Sequence, residues 1–164
     1  MATEARYVSY PEAVFIHLRL MRLVGEERYG VFDRALVESA LSRPRQAAAY
    51  EGADLLRQAA TLCFGLIKNH PWVGGNKRTA TAITDEFLFR NGIELTARPA
   101  DVVEMVLAVE AGRWGPARSK RGCAGIVETS QPDRRLSFRQ LSPRLRVTCS
   151  GVLITFAKRR RAPS

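Results

Sequence analysis

Three cysteines, at Cys63, Cys123 and Cys149, are too few and too scattered for a disulfide framework or a zinc site. Cys63 stands among Leu62, Phe64 and Leu66, and is expected to be a small core residue. No apolar run approaches the ~18 residues that a membrane-spanning helix needs. The stretch from Met1 to Pro11 carries no apolar signal core, so no membrane partner and a cytoplasmic location are expected. Acid is nearly missing from the last third: residues 116–164 hold 2 Asp/Glu against 12 Lys/Arg, whereas residues 1–115 hold 14 of each. The formal net charge of +10 therefore belongs to the tail and does not mark the whole chain as a nucleic-acid binder. Aromatics are scarce there too, with only Phe138 and Phe156 available for stacking on bases.

What is present is a helical pattern over the first two thirds, in a chain of 164 residues long enough for one domain with a real core. Ser9, followed by Pro11, reads as the cap of a helix to about Val24 that carries Val14, Phe15, Leu18 and Met21, with Gly25 as its stop. Asp33 can cap a short helix through Leu36 and Ala40 that is expected to end before Pro44. A polar, alanine-containing loop to about Ala53 should follow, holding Tyr50 and Glu51. Asp54 then caps a longer helix with Leu55, Leu56, Ala59, Leu62, Leu66 and Ile67, apolar on much of its circumference and so central. It must stop near Asn69–His70, because Pro71 biases the preceding residue away from the α region. Asn76 opens another helix, closed at Asn91-Gly92. Ile93 to Leu95 reads as extended. Pro99 starts a last helix ending at Gly112, with Val102, Val103, Val106, Leu107 and Met105 as its apolar set. The expectation is an all-α bundle with short connections over residues 6–115. Residues 116–164 read as a basic, low-structure tail. It is taken as disordered, as a nucleic-acid-binding arm, or as not native to the fold, as after a frameshift.

The chemistry lies in His70-Pro71-Trp72-Val73-Gly74-Gly75-Asn76-Lys77-Arg78. Gly74 and Gly75 permit backbone shapes closed to other residues, and their N–H groups can form a nest for an anion. Asn76, Lys77 and Arg78 follow in a first helical turn, where free N–H groups and the helix dipole favour negative charge. Lys77 adds a point charge and Arg78 a fork suited to phosphate. His70 can act as a base near neutral pH. A Gly-Gly turn and a helix-end histidine are also ordinary structural features, but basic residues in a first turn oppose the dipole and ask for a reason. A base beside a phosphate cradle suits phosphoryl or nucleotidyl transfer to a hydroxyl.

These nine residues resemble the signature of the Fic/Doc family: His, any residue, Phe, any residue, Asp or Glu, Ala or Gly, Asn, Gly or Lys, Arg. His70, Gly75, Asn76, Lys77 and Arg78 match, and Trp72 replaces the Phe. Thr79-Ala80, the run Phe87 to Gly92, Pro11-Glu12, His17, Tyr50-Glu51 and the Leu36–Leu41 stretch extend the resemblance over about residues 6–114. It implies a helical bundle with a central helix–loop–helix site. In it His70 is the general base, Gly75, Asn76 and Lys77 line an anion hole, Arg78 holds phosphate, and Trp72 anchors the loop. His17 reads as structural. Lys77 and Thr81 stand where adenylyltransferases of the family carry Gly and a second Arg, so the chain follows the Doc (death-on-curing) pattern. That pattern implies a toxin that transfers the γ-phosphate of ATP to a Ser or Thr hydroxyl, typically of elongation factor Tu, stops translation, and is neutralised by a cognate antitoxin.

Two departures stand out. Gly74 occupies the place of the acid that holds Mg²⁺ in the family, so no metal ligand is assigned and the expected Mg²⁺ has lost its carboxylate. Family members also end in a further short helix, where this chain turns to Pro116 and the basic stretch. Three other readings stay open at this point: a catalytically degenerate remnant keeping only its antitoxin surface, a Fic-type adenylyltransferase, and a nucleic-acid binder acting through the tail.

Overall fold

The structure, a computed structural model, describes residues 5–95, 99–113 and 115, and the backbone of short strands at 127–128, 145–148 and 153–156. Among the described residues there are five helices: α1 Tyr10–Leu23, α2 Arg34–Glu51, α3 Leu55–Asn69, α4 Asn76–Arg90 and α5 Pro99–Glu110. The fold is the expected all-α bundle. Two short antiparallel strand pairs accompany it, β1 Glu94–Leu95 with β2 Val127–Glu128, and β3 Leu145–Thr148 with β4 Leu153–Phe156. The rest of the basic segment 116–164 lies outside the described residues, as does the place of the family's further helix.

Helix α3 is the centre, packed by α2 on one side and by α4 and α5 on others. Its Ala59, Ala60, Leu62, Cys63, Leu66 and Ile67 are all buried, as an apolar circumference requires. The caps are local and polar. The Glu12 carboxylate accepts both the Ser9 N–H (2.8 Å) and the Ser9 hydroxyl (2.6 Å), and Asp33 and Asp54 accept first-turn N–H groups of α2 and α3. Glu12 also takes the Arg90 guanidinium at 2.8 Å, which ties the start of α1 to the end of α4.

Two expectations from the sequence are corrected. Helix α2 does not end before Pro44 but runs through it to Glu51, so Tyr50 and Glu51 sit on its last turn rather than in a loop. A proline inside a helix loses one backbone hydrogen bond and costs about 3 kcal/mol. Here Val37, Ala40, Pro44 and Ala47 form one buried stripe against α3, so the pyrrolidine ring fills core space, and the alanines that follow favour helix. In α5 the buried stripe is Val102, Met105, Val106 and Val109, and Leu107 points outward at 45% exposure.

Candidate functional site

Residues 70–75 join the central helix α3 to α4, and the chain around them explains their shape. His70 ends α3 at φ 45°, ψ 52°, and among the described residues it is the one non-glycine at positive φ. Pro71 disfavours the α region there, and the left-handed turn takes the imidazole off the axis of α3. The Pro71 carbonyl accepts the N–H groups of Phe32 (2.9 Å) and Asp33 (3.3 Å), and the Val73 N–H bonds the Gly30 carbonyl at 3.0 Å. Val31 and Trp72 form an antiparallel bridge. The loop is therefore strapped along residues 30–33.

Trp72 enters the core at 3% exposure and stacks on the His17 ring, with centroids 4.4 Å apart. His17 is fully buried. Its Nε2 accepts the Gly30 N–H at 3.2 Å, which leaves the proton of the neutral ring on Nδ1, 2.9 Å from Thr79 Oγ1. His17 thus pins the strap, the loop anchor and the first turns of α4 together, the structural role expected of it. Burial pushes its pKa from 6.5 down to about 4, against the opposing Gly30 hydrogen bond. The unfolded chain takes up this proton below pH 6.5 and the folded one only near 4, so stability present at neutral pH is lost as pH falls through that window. The loss expected by pH 4 is about 3 kcal/mol, and His17→Gln should remove most of it. Urea unfolding at pH 7 and pH 5 checks this; equal pH dependence in the two proteins would refute it.

Asn76, the first residue of α4, spends its side chain on the loop: Oδ1 accepts the Trp72 N–H at 3.0 Å and Nδ2 donates to the Trp72 carbonyl at 2.8 Å. What it offers an anion is its backbone N–H. Helix α4 begins after Gly75 (φ 61°), whose absent side chain leaves room for the Met21 thioether. The first-turn N–H groups of Asn76, Lys77 and Arg78 have no partners within the helix, as at any helix start.

The cations of this turn are paired. Lys77 Nζ lies 2.7 Å from Glu110 Oε2, and Arg78 Nη2 lies 3.2 Å from Glu26 Oε2. Glu110 Oε1 is also 4.0 Å from His70 Nε2, and the Glu110 carbonyl accepts Lys68 Nζ at 3.0 Å. The ends of α3 and α5 and the start of α4 thus converge on one carboxylate, with His70 about half exposed beside it. Lys77 and Arg78 oppose the α4 dipole at a cost of roughly 0.3–1 kcal/mol each, and Glu110 and Glu26 offset it. Neither acid was singled out from the sequence. Both lie far from the motif in sequence, and only the fold brings them to it.

Gly74 bears on whether the loop could carry a metal ligand. Its φ is +149°, and a Cβ built on it would stand 2.8 Å from the Arg28 carbonyl oxygen. No acidic side chain fits there without moving backbone. Among the described residues no group of three or more His, Cys, Asp or Glu is placed to hold a metal ion. The residues present do not fit the Mg²⁺ that the family resemblance implies.

Position 81, where adenylyltransferases of the family carry a second arginine, holds a buried threonine whose hydroxyl bonds the Lys77 carbonyl at 3.0 Å. Among the described residues no helix is long and apolar enough to cross a membrane. Comparison with known proteins agrees with this architecture. The chain is 45% identical over 108 residues to Toxin Doc of Mycolicibacterium smegmatis, an alignment covering 60% of this chain and 82% of that protein. Residues 7–88, which run from just before α1 through the motif and most of α4, match the Fic/DOC family, and the chain belongs to it.

Proposed function

We propose that this chain is a Doc-type toxin that transfers the γ-phosphate of ATP to a Ser or Thr hydroxyl of a translation factor, with elongation factor Tu as the first candidate, and so inhibits translation. A cognate antitoxin would hold it in check. The observation that carries this reading is the meeting of His70 with Lys77 at the Glu110 carboxylate, an imidazole and an ammonium side by side at a helix start, which supports a base acting next to bound phosphate. Thr81 in place of a second arginine favours γ-phosphoryl over nucleotidyl transfer.

The roles follow from chemistry. Lys77, Arg78 and the first-turn N–H groups of α4 hold the phosphates. Gly75 and the Asn76 brace keep the loop in shape. The target hydroxyl oxygen attacks the γ-phosphorus, a new O–P bond forms, and the bond to the β-bridging oxygen breaks to release ADP. The hydroxyl proton passes to the His70 imidazole. A divalent ion's charge stabilisation is worth several kcal/mol in such reactions. Losing half of it slows transfer on the order of a hundredfold, so turnover is expected to be slow.

Gly74 also favours a second reading, a remnant that keeps its antitoxin surface without turnover. Incubation with γ-labelled ATP and purified elongation factor Tu separates the two. Label on the factor supports the kinase. Absence of label together with harmless high-level expression supports the remnant. Label carried only from α-labelled ATP would make the chain an adenylyltransferase.

A further inference from the structure

We propose that the cradle takes its phosphate ligand as the bare polyanion, with no divalent cation. This rests on the reading that Gly74, Gly75 and the first turn of α4 bind phosphate, and it goes beyond that reading by naming the ionic form bound. Three features point the same way.

The first is the shape at Gly74. A carboxylate at that position would begin with a Cβ 2.8 Å from the Arg28 carbonyl oxygen, on a backbone at φ +149°. The obstacle is backbone, not the mobile end of a side chain, so it cannot simply swing aside. The loop is also strapped on both sides, by the Pro71 and Val73 hydrogen bonds and by the Asn76 brace. Nothing in it is free to carry an acid toward a ligand.

The second is the commitment of the two carboxylates that border the cradle. Glu110 holds Lys77 and Glu26 holds Arg78. A metal ion on either oxygen would lie against an ammonium or a guanidinium, charges of its own sign. Hard divalent cations need oxygen ligands, and the acids here already serve cations.

The third is charge balance. Lys77 and Arg78 carry two positive charges, Glu110 and Glu26 two negative ones, so these two pairs are neutral, and Lys68 adds a positive charge at the Glu110 carbonyl. An arriving polyphosphate meets the first-turn N–H groups of α4 and shares the cations with the carboxylates that hold them. A metal would reduce the charge of the incoming ligand and so its attraction to these donors.

Isothermal titration of the full chain with β,γ-imido ATP, which cannot be turned over, tests this at constant ionic strength, once with saturating MgCl₂ and once with excess EDTA. The expected result is a Kd in EDTA equal to or lower than that in Mg²⁺, with Lys77→Met weakening both by about tenfold or more. Circular dichroism establishes that the variant is folded. Arg78→Gln offers a second variant should Lys77→Met fail that test. If Mg²⁺ tightens binding tenfold or more, the inference is overturned while the phosphate cradle stands. If folded protein binds the nucleotide in neither condition, the cradle itself is overturned, and this inference with it.

Discussion

Replacement of His70 by alanine is expected to lower the rate of phosphate transfer by about 10²–10⁴-fold, the usual contribution of a positioned general base. Affinity for nucleotide should change little, because the Lys77 and Arg78 side chains and the α4 N–H groups are untouched. The backbone deserves a separate control. His70 sits at φ 45°, where alanine is no better suited than histidine, so a shifted loop could imitate a lost base. Asparagine visits this region readily but cannot take up the proton. His70→Asn should therefore keep nucleotide binding and the unfolding midpoint while losing turnover as His70→Ala does. The check is single-turnover labelling of elongation factor Tu by all three proteins. If His70→Asn transfers phosphate at the parent rate, the proton goes elsewhere.

Gly74→Asp is expected to destabilise the fold by roughly 2–6 kcal/mol. About 1–3 kcal/mol comes from placing a non-glycine residue in sparsely populated backbone. A similar amount comes from forcing a Cβ against the Arg28 carbonyl in a packed region. The carboxylate would also approach an oxygen already rich in negative charge. Gly74→Ala carries the Cβ without the charge, and should show most of the loss. Guanidinium unfolding of the three proteins measures it. A loss under about 0.5 kcal/mol for both variants, the range of ordinary surface changes, would mean that the strap at residues 28–30 yields easily. The metal acid of the family could then be restored without cost. The expected destabilisation gives a physical reason to treat Gly74 as part of the loop's present shape rather than a single missing group.

Much of the bundle was legible because its signals are local. Asp54 before an apolar run and Asn91-Gly92 after one mark helix ends by chemistry that acts within a few residues, and the structure places α3 and α4 there. The bend at His70 was legible for the same reason, since Pro71 acts on its immediate neighbour. Pro44 misled because the rule against proline in helices is also local, whereas what overrides it is packing against another helix. The stripe Val37, Ala40, Pro44, Ala47 was present in the sequence, but proline has to be counted as apolar filler to see it. Leu107 misled in a similar way: apolar residues crowd α5, and only its orientation on α3 chooses Val109 over Leu107 for the core. In the site, the motif residues were legible as a set. Their counter-ions were not, because Glu26 and Glu110 are 52 and 33 positions away from the cations they hold and follow no short pattern.

The strap and the His17 pin bear on how the loop acquires its shape at all. His17 and Thr79 are 62 positions apart, and their hydrogen bond, like the one from Asp33 to Pro71, closes a long stretch of chain. Closing such stretches costs entropy before any contact rewards it. The nine motif residues therefore do not constitute a self-contained unit. Cut out as a peptide, or grafted between two helices of another bundle, they would lack the imidazole that supports Trp72 and the backbone edge that holds Pro71 and Val73. The cradle therefore takes its shape only where α1 lies beside α4. A family signature so compact in sequence takes its shape, in this molecule, from residues spread over much of the bundle.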